Sequence, residues 1–145
     1  MIVKTTEIEL NTTKGFDITE ITEQVQEEIN QSRVKNGIAT IATQHTTTAI
    51  FVNEYEEGFF EDLRAKLKQI APANKHYNHN DLHKRNVPKN EPQNGRSHVL
   101  AALIGNSQTI PIVNGKLKLG TWQSIFLIEL DSARFRKVSI TVIGQ

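Results

Sequence analysis

The sequence predicts an α+β fold in one domain covering residues 1–145, with about seven strands arranged as a two-sheet sandwich. Three observations carry this. Hydrophobic periodicity changes from two to about 3.6 and back along the chain. The strand-like runs are segregated from two main helices, which indicates α+β and not a repeating βαβ fold. At 145 residues, the chain is long enough to bury roughly 68–70% of its unfolded surface, so it needs no disulfide or structural metal to fold.

Residues 2–10 alternate apolar with polar side chains and are enriched in β-branched residues, as in a half-buried strand. A helical period follows: Ile18, Ile21, Val25 and Ile29 lie one turn apart, with Asp17 as expected N-cap, Glu20 three residues on, and Asn36-Gly37 as a stop. Residues 38–44 and 47–53 are apolar enough for buried strands, joined around Gln44, His45 and Thr46. A second amphipathic helix is expected over roughly 57–70, with Phe59, Phe60, Leu63, Leu67 and Ile70 inward and an acidic start suited to the helix dipole. Residues 71–97 then lose nearly all apolar character. They contain three prolines, and so long an irregular connection is usually functional or disordered. A short helix is expected over 98–104, capped by Ser97 and stopped by Gly105. The remainder reads as β, with a hairpin turn at Asn114-Gly115 and a break near Gly120. The order is β-α-β-β-α-loop-α-β-β-β.

Composition narrows the chemistry. The 17 Lys+Arg nearly balance 16 Asp+Glu, which leaves no electrostatic footprint for bulk nucleic-acid binding. No cysteine is present, so any metal would be held by nitrogen and oxygen ligands. No segment has the apolar length of a signal peptide core or a membrane span, and the expectation is a soluble, cytoplasmic protein with no membrane partner. P-loop, GxGxxG and GxSxG patterns are absent.

Four of the five histidines, His76, His79, His83 and His98, fall between residues 76 and 98, and His45 ends an apolar strand. Three imidazoles from separate segments suit a divalent metal with an open position for water or substrate. The plain alternative is that they are solvated loop residues. An anion site is the second reading: Lys84, Arg85, Arg96, Arg134 and Arg136 lie near the histidines or at strand ends, where guanidinium groups would match phosphate oxygens or simply face water. Glu54, Asp62 and Glu129 border apolar segments where burial would favour acid/base work, and Trp122 would stack on a ring or fill a core.

The runs HTTTAIFVNE (45–54), YNHN (77–80), NGRSHVLAALIGNSQTIPIVNGKLKLGTWQSIFLIELD (94–131) and RFRKVSITVIG (134–144) resemble the YjbQ-like family, often labelled secondary thiamine-phosphate synthase. The resemblance implies a homotrimer of α+β subunits and an enzyme joining a pyrimidine methyl diphosphate to a thiazole phosphate. It implies a divalent metal such as zinc on His45, His79 and His98. It also places Glu129, Asp62 and Arg136 in catalysis, and Asn53, Arg96, Trp122 and Gln123 against a small phosphorylated or anionic substrate. The alternatives are a zinc-dependent hydrolase of a phosphate ester or amide, and a non-catalytic trimeric anion-binding module. The chain departs from the family where Arg96 stands at a position commonly held by histidine, and where Ser132-Ala133 follows the strand acid.

Overall fold

The computed structural model describes all residues from Met1 to Gln145. Its eight strands form two antiparallel sheets. The larger contains β1 (Ile2–Asn11), β8 (Phe135–Gly144), β3 (Gly37–Thr43), β5 (Ser107–Val113) and β6 (Lys116–Leu117), in that order. The smaller is β2 (Ile18–Glu20), β7 (Gln123–Glu129) and β4 (Thr48–Glu54). Helix α1 (Thr22–Ser32) drives Ile21, Val25 and Ile29 between the sheets, against Ala39, Ile41, Ile125, Leu127, Ile140 and others. Burying such branched aliphatic side chains contributes roughly 1.5–3 kcal/mol each before entropy is counted. A second cluster lies on the far face of the small sheet, where Leu67 and Ala71 from the α2 region (Glu57–Ile70) and Leu100 and Ala101 from α3 (Gly95–Ile104) cover Ala49, Ile128 and Leu130. The layers are therefore the large sheet, a core holding α1, the small sheet, and a pair of helices. No helix is long and apolar enough to cross a membrane.

The α+β class, the two sheets, α2 and the break at Gly120 agree with the sequence reading. Asn114 and Gly115 both have positive φ, 52° and 76°, as the primed turn between β5 and β6 requires. Four local expectations need correction.

Asp17 does not cap α1. Its carboxylate accepts from the backbone N and Oγ1 of Thr13 at 2.8 and 3.0 Å, and Ile18–Glu20 pairs with β7 as an eighth strand. Ile18 shares the helical spacing of Ile21, Val25 and Ile29 by coincidence, since it packs in the second cluster. The helix ends at Arg33, in the left-handed region at φ 62°, before the expected stop. Gly37 serves close approach instead, because a Cβ there would lie 2.0 Å from the Ile143 carbonyl oxygen.

Ser97 does not cap α3. The helix begins three residues earlier, with Asn94 at the N-cap position, and the Gly95 N–H donates to Asn80 Oδ1 at 2.9 Å. A side chain from the long connection thus satisfies the first helical donor, and Ser97 is buried inside the helix. Ile70, expected inward, is 51% exposed at the end of α2. The connection itself contains two 3-10 turns, Asn78–Asn80 and Leu82–Lys84.

Candidate functional site

A cleft opens where the β3–β4 turn faces α3. One lobe, of about 510 Å³, is lined by Thr43, Gln44, His45, Thr46, His98 and Asn106 among others. A second, of about 480 Å³, shares Gln44, His45, Thr46 and His98 and adds Thr47, Glu91, Asn94, Arg134 and Arg136. Both fall within the size range of small-molecule sites.

The turn is fixed by threonines. Thr43 Oγ1 and Thr48 Oγ1 are 2.7 Å apart in a buried hydrogen bond, and the His45 N–H donates to Thr43 Oγ1 at 3.2 Å. Strand β3 stops pairing with β8 at Thr43↔Val138, so Lys137, the next residue of β8, has no partner on the β3 side. The His45 ring takes that place, its Nε2 accepting from Lys137 N at 2.9 Å. A neutral imidazole has one accepting and one donating nitrogen, so Nδ1 carries the proton. Burial first, then the Arg136 charge, lowers the His45 pKa below its ordinary 6.5, keeping the ring neutral at pH 7.

His98 lies in the first turns of α3 and meets His79 with ring centroids 4.3 Å apart, tilted by 37°. Gly95 permits this approach. A Cβ there would lie 2.7 Å from Tyr77 Cβ and 3.1 Å from His79 Cβ. Arg85 Nη1 donates to the His79 carbonyl at 3.0 Å and Tyr77 Oη to the Pro72 carbonyl at 2.7 Å, holding the turn. Burial and the adjacent His79 lower the His98 pKa, and Asp131 and Glu91 oppose the shift. His79 Nδ1 is buried without a hydrogen-bond partner.

Behind the cleft sits a buried ion pair. Glu129 is 0% exposed and Arg136 is 3% exposed. Arg136 Nε and Nη2 donate to Glu129 Oε2 and Oε1 at 2.8 and 2.6 Å, Nη2 also reaches Thr47 Oγ1 at 3.0 Å, and Thr12 Oγ1 donates to Glu129 Oε2 at 2.8 Å. The Asp131 N–H adds a bond to Glu129 Oε1 at 3.1 Å. The carboxylate is fully engaged in fixing the guanidinium, which lines the cleft beside Arg134.

The cleft therefore collects His45, His98 and Arg136, with His79 against His98 and Glu129 behind Arg136. Within one subunit the remaining expected residues stand elsewhere. Arg96 turns to the Phe16 ring, its Cζ 5.3 Å from the centroid. Asp62 is on the exposed side of α2. Asn53, Trp122 and Gln123 are exposed at the opposite end of the small sheet, since Glu54 pairs with Gln123 whereas Thr48 pairs with Glu129, roughly 20 Å away at about 3.3 Å per residue. Trp122 is 73% exposed, and Gln123 uses its Oε1 to close the turn at Gly120. Thr12, Thr43, Thr47, Asn80 and Gly95 were not singled out as site residues by the sequence reading. Their work is hydrogen bonding and close approach to residues distant in sequence, for which local pattern carries no signal.

A zinc centre needs three protein ligands with free lone pairs. His79 and His98 have their rings against each other, 4.3 Å apart. The His45 Nε2 lone pair is committed to Lys137, and no group of three His, Asp or Glu side chains stands close enough to hold an ion. Within one subunit, the three histidines as arranged do not fit a three-imidazole metal cage.

A family model described as UPF0047 protein YjbQ-like matches residues 6–145. A UPF0047 protein of Methanothermobacter thermautotrophicus is 37% identical over 145 residues, 100% of this chain and 95% of the relative. YugU of Bacillus subtilis is 29% identical, covering 94% of this chain and 97% of its own. Among solved structures, a YbjQ-like protein of unknown function from Sulfolobus solfataricus superposes with a TM-score of 0.89 at 34% identity, covering 99% of this chain and 98% of that one. A hypothetical protein from Aeropyrum pernix gives 0.88 at 29%, covering 98% and 99%. With this sequence match spanning nearly the whole chain and the same fold in its relatives, the protein belongs to the YjbQ-like UPF0047 family.

Proposed function

We propose that the cleft binds a small phosphorylated ligand and serves a thiamine-phosphate-synthase-like transferase. The observation that carries the anion reading is the His45 ring, whose Nε2 is occupied by Lys137 and whose Nδ1–H is thereby a fixed donor. Arg134 and Arg136 line the same lobe, and Arg136 Nη1 makes no hydrogen bond within the chain. Preorganised donors of this kind stabilise charge that develops on an oxyanion.

In the reaction the family resemblance implies, the C–O bond between the pyrimidine methylene and the diphosphate breaks. The electron pair leaves with pyrophosphate. The thiazole nitrogen lone pair forms the new C–N bond, and the positive charge remains on the thiazolium. No proton need move. His45 Nδ1–H, Arg134 and Arg136 receive the charge building on the departing diphosphate, while Glu129 holds Arg136 in place.

Asn53, Trp122 and Gln123 would reach a cleft only from another subunit, which suits the homotrimer the resemblance implies. The outer face of the large sheet, uncovered by any helix and carrying exposed Val3, Ile38 and Val113, is the surface proposed for that contact.

The test supplies both substrates to purified protein whose solution mass is measured alongside. Coupled product with one equivalent of pyrophosphate, reduced at least tenfold by His98→Ala and Arg134→Ala, supports the reading. Phosphate release without coupling assigns a hydrolase, and binding without turnover assigns an anion-binding module. A mass of three times the 16.4 kDa subunit supports the trimer, and that of one subunit removes it.

A further inference from the structure

Phe16 sits in the loop between β1 and β2 with φ 62°, a conformation that bulky residues adopt only where their surroundings enforce it. Two hydrogen bonds do so here: the Phe16 N–H donates to the Glu129 carbonyl at 2.7 Å, and the Phe16 carbonyl accepts from Arg64 Nε at 3.0 Å. The ring so placed meets two more cations, Arg96 Cζ at 5.3 Å and Lys68 Nζ at 5.6 Å from its centroid.

Arg96 Nε and Nη2 are inaccessible to solvent and have no hydrogen-bond partner. Desolvated guanidinium N–H groups are normally paired, and an aromatic face attracts the charge without offering a lone pair to each donor. Arg96 forms no ion pair with an acidic side chain either; Asp131, in the turn after β7, accepts instead from Asn94 and Arg134. Arg96 is two positions from His98 on α3, about 200° around the helix, and does not line the cleft.

We propose that the Phe16 ring is a plug over a second anion subsite, in which Arg96 and Lys68 receive a small oxyanion, a phosphoryl or carboxylate group, when the ring rotates aside. The backbone anchors stay in place, so opening is a side-chain movement. This subsite is separate from the cleft and does not rest on the reading of the cleft.

The experiment is carried out in a His98→Ala background, to weaken the cleft, with inorganic phosphate as probe. Phe16→Gly removes the ring and suits the left-handed backbone. Phe16→Ala also removes the ring, leaving only a methyl group, and carries the test if the glycine variant does not fold. Binding is read by calorimetry and by the Arg96 Nε–H resonance. Restoring a charged hydrogen bond to a desolvated donor predicts phosphate binding about tenfold tighter without the ring, a shifted Arg96 resonance, and loss of both on adding Arg96→Gln. Unchanged binding in the folded Phe16 variants, or a gain that survives Arg96→Gln, overturns the proposal.

Discussion

At the scale of single residues, the Glu129–Arg136 pair decides how the cleft is held. Two charges taken out of water are costly unless their lone pairs and protons are engaged, and here Thr12, Thr47 and the Asp131 N–H join the pair so that only Arg136 Nη1 is left without a partner in the chain. Removing one partner leaves the other buried and uncompensated. Arg136→Ala or Glu129→Ala should therefore destabilise the fold by roughly 3–5 kcal/mol in denaturant titrations. A loss below 1 kcal/mol would mean that water reaches the pair. The sequence made Glu129 conspicuous, as an acid within its most apolar strand. It did not reveal that the carboxylate would be saturated by three segments, because those partners lie up to 117 residues away.

At the scale of elements, the site depends on one helix start and one strand end. The His-rich connection is legible as a functional segment from its composition alone. Its docking is not, since it rests on Asn80 capping α3 and on Gly95 lacking a Cβ. Gly95→Ala should push the Tyr77–Asn80 turn off α3 and separate His79 from His98. Loss of contacts between these rings in nuclear Overhauser spectra, with the secondary structure retained, is the expected outcome. Unchanged contacts would show that the turn is held from elsewhere. The same limit explains the extra strand: Ile18 fits a helical period, and pairing with β7 overrode it. The Asn114-Gly115 hairpin was legible because its turn chemistry is local.

At the scale of the whole molecule, the folded state prefers His45 and His98 neutral, so their pKa values lie below those of the unfolded chain. Where the unfolded chain binds more protons, stability rises with pH. The contribution of these rings is thus fully present above about pH 6.5 and is lost as pH falls from there through the lowered folded values. Protonating His45 would also turn an N–H towards the Lys137 N–H. Unfolding free energy measured from pH 7.5 to 5 should fall, with a shallower slope in His45→Gln and His98→Gln. Identical slopes in the wild type and both variants would dissociate the rings from the pH response. The family and the two-sheet architecture were legible from motifs spanning the chain, whereas the donor role of His45 depends on β3 ending one residue short of Lys137's partner, which no local pattern signals. That role is tested most directly by the imidazole nitrogen resonances of metal-free protein, recorded with and without inorganic pyrophosphate. The account predicts His45 in the Nδ1–H form with Nε2 accepting, and a shift of Nδ1 when pyrophosphate is added. An Nε2–H ring indifferent to pyrophosphate would contradict it.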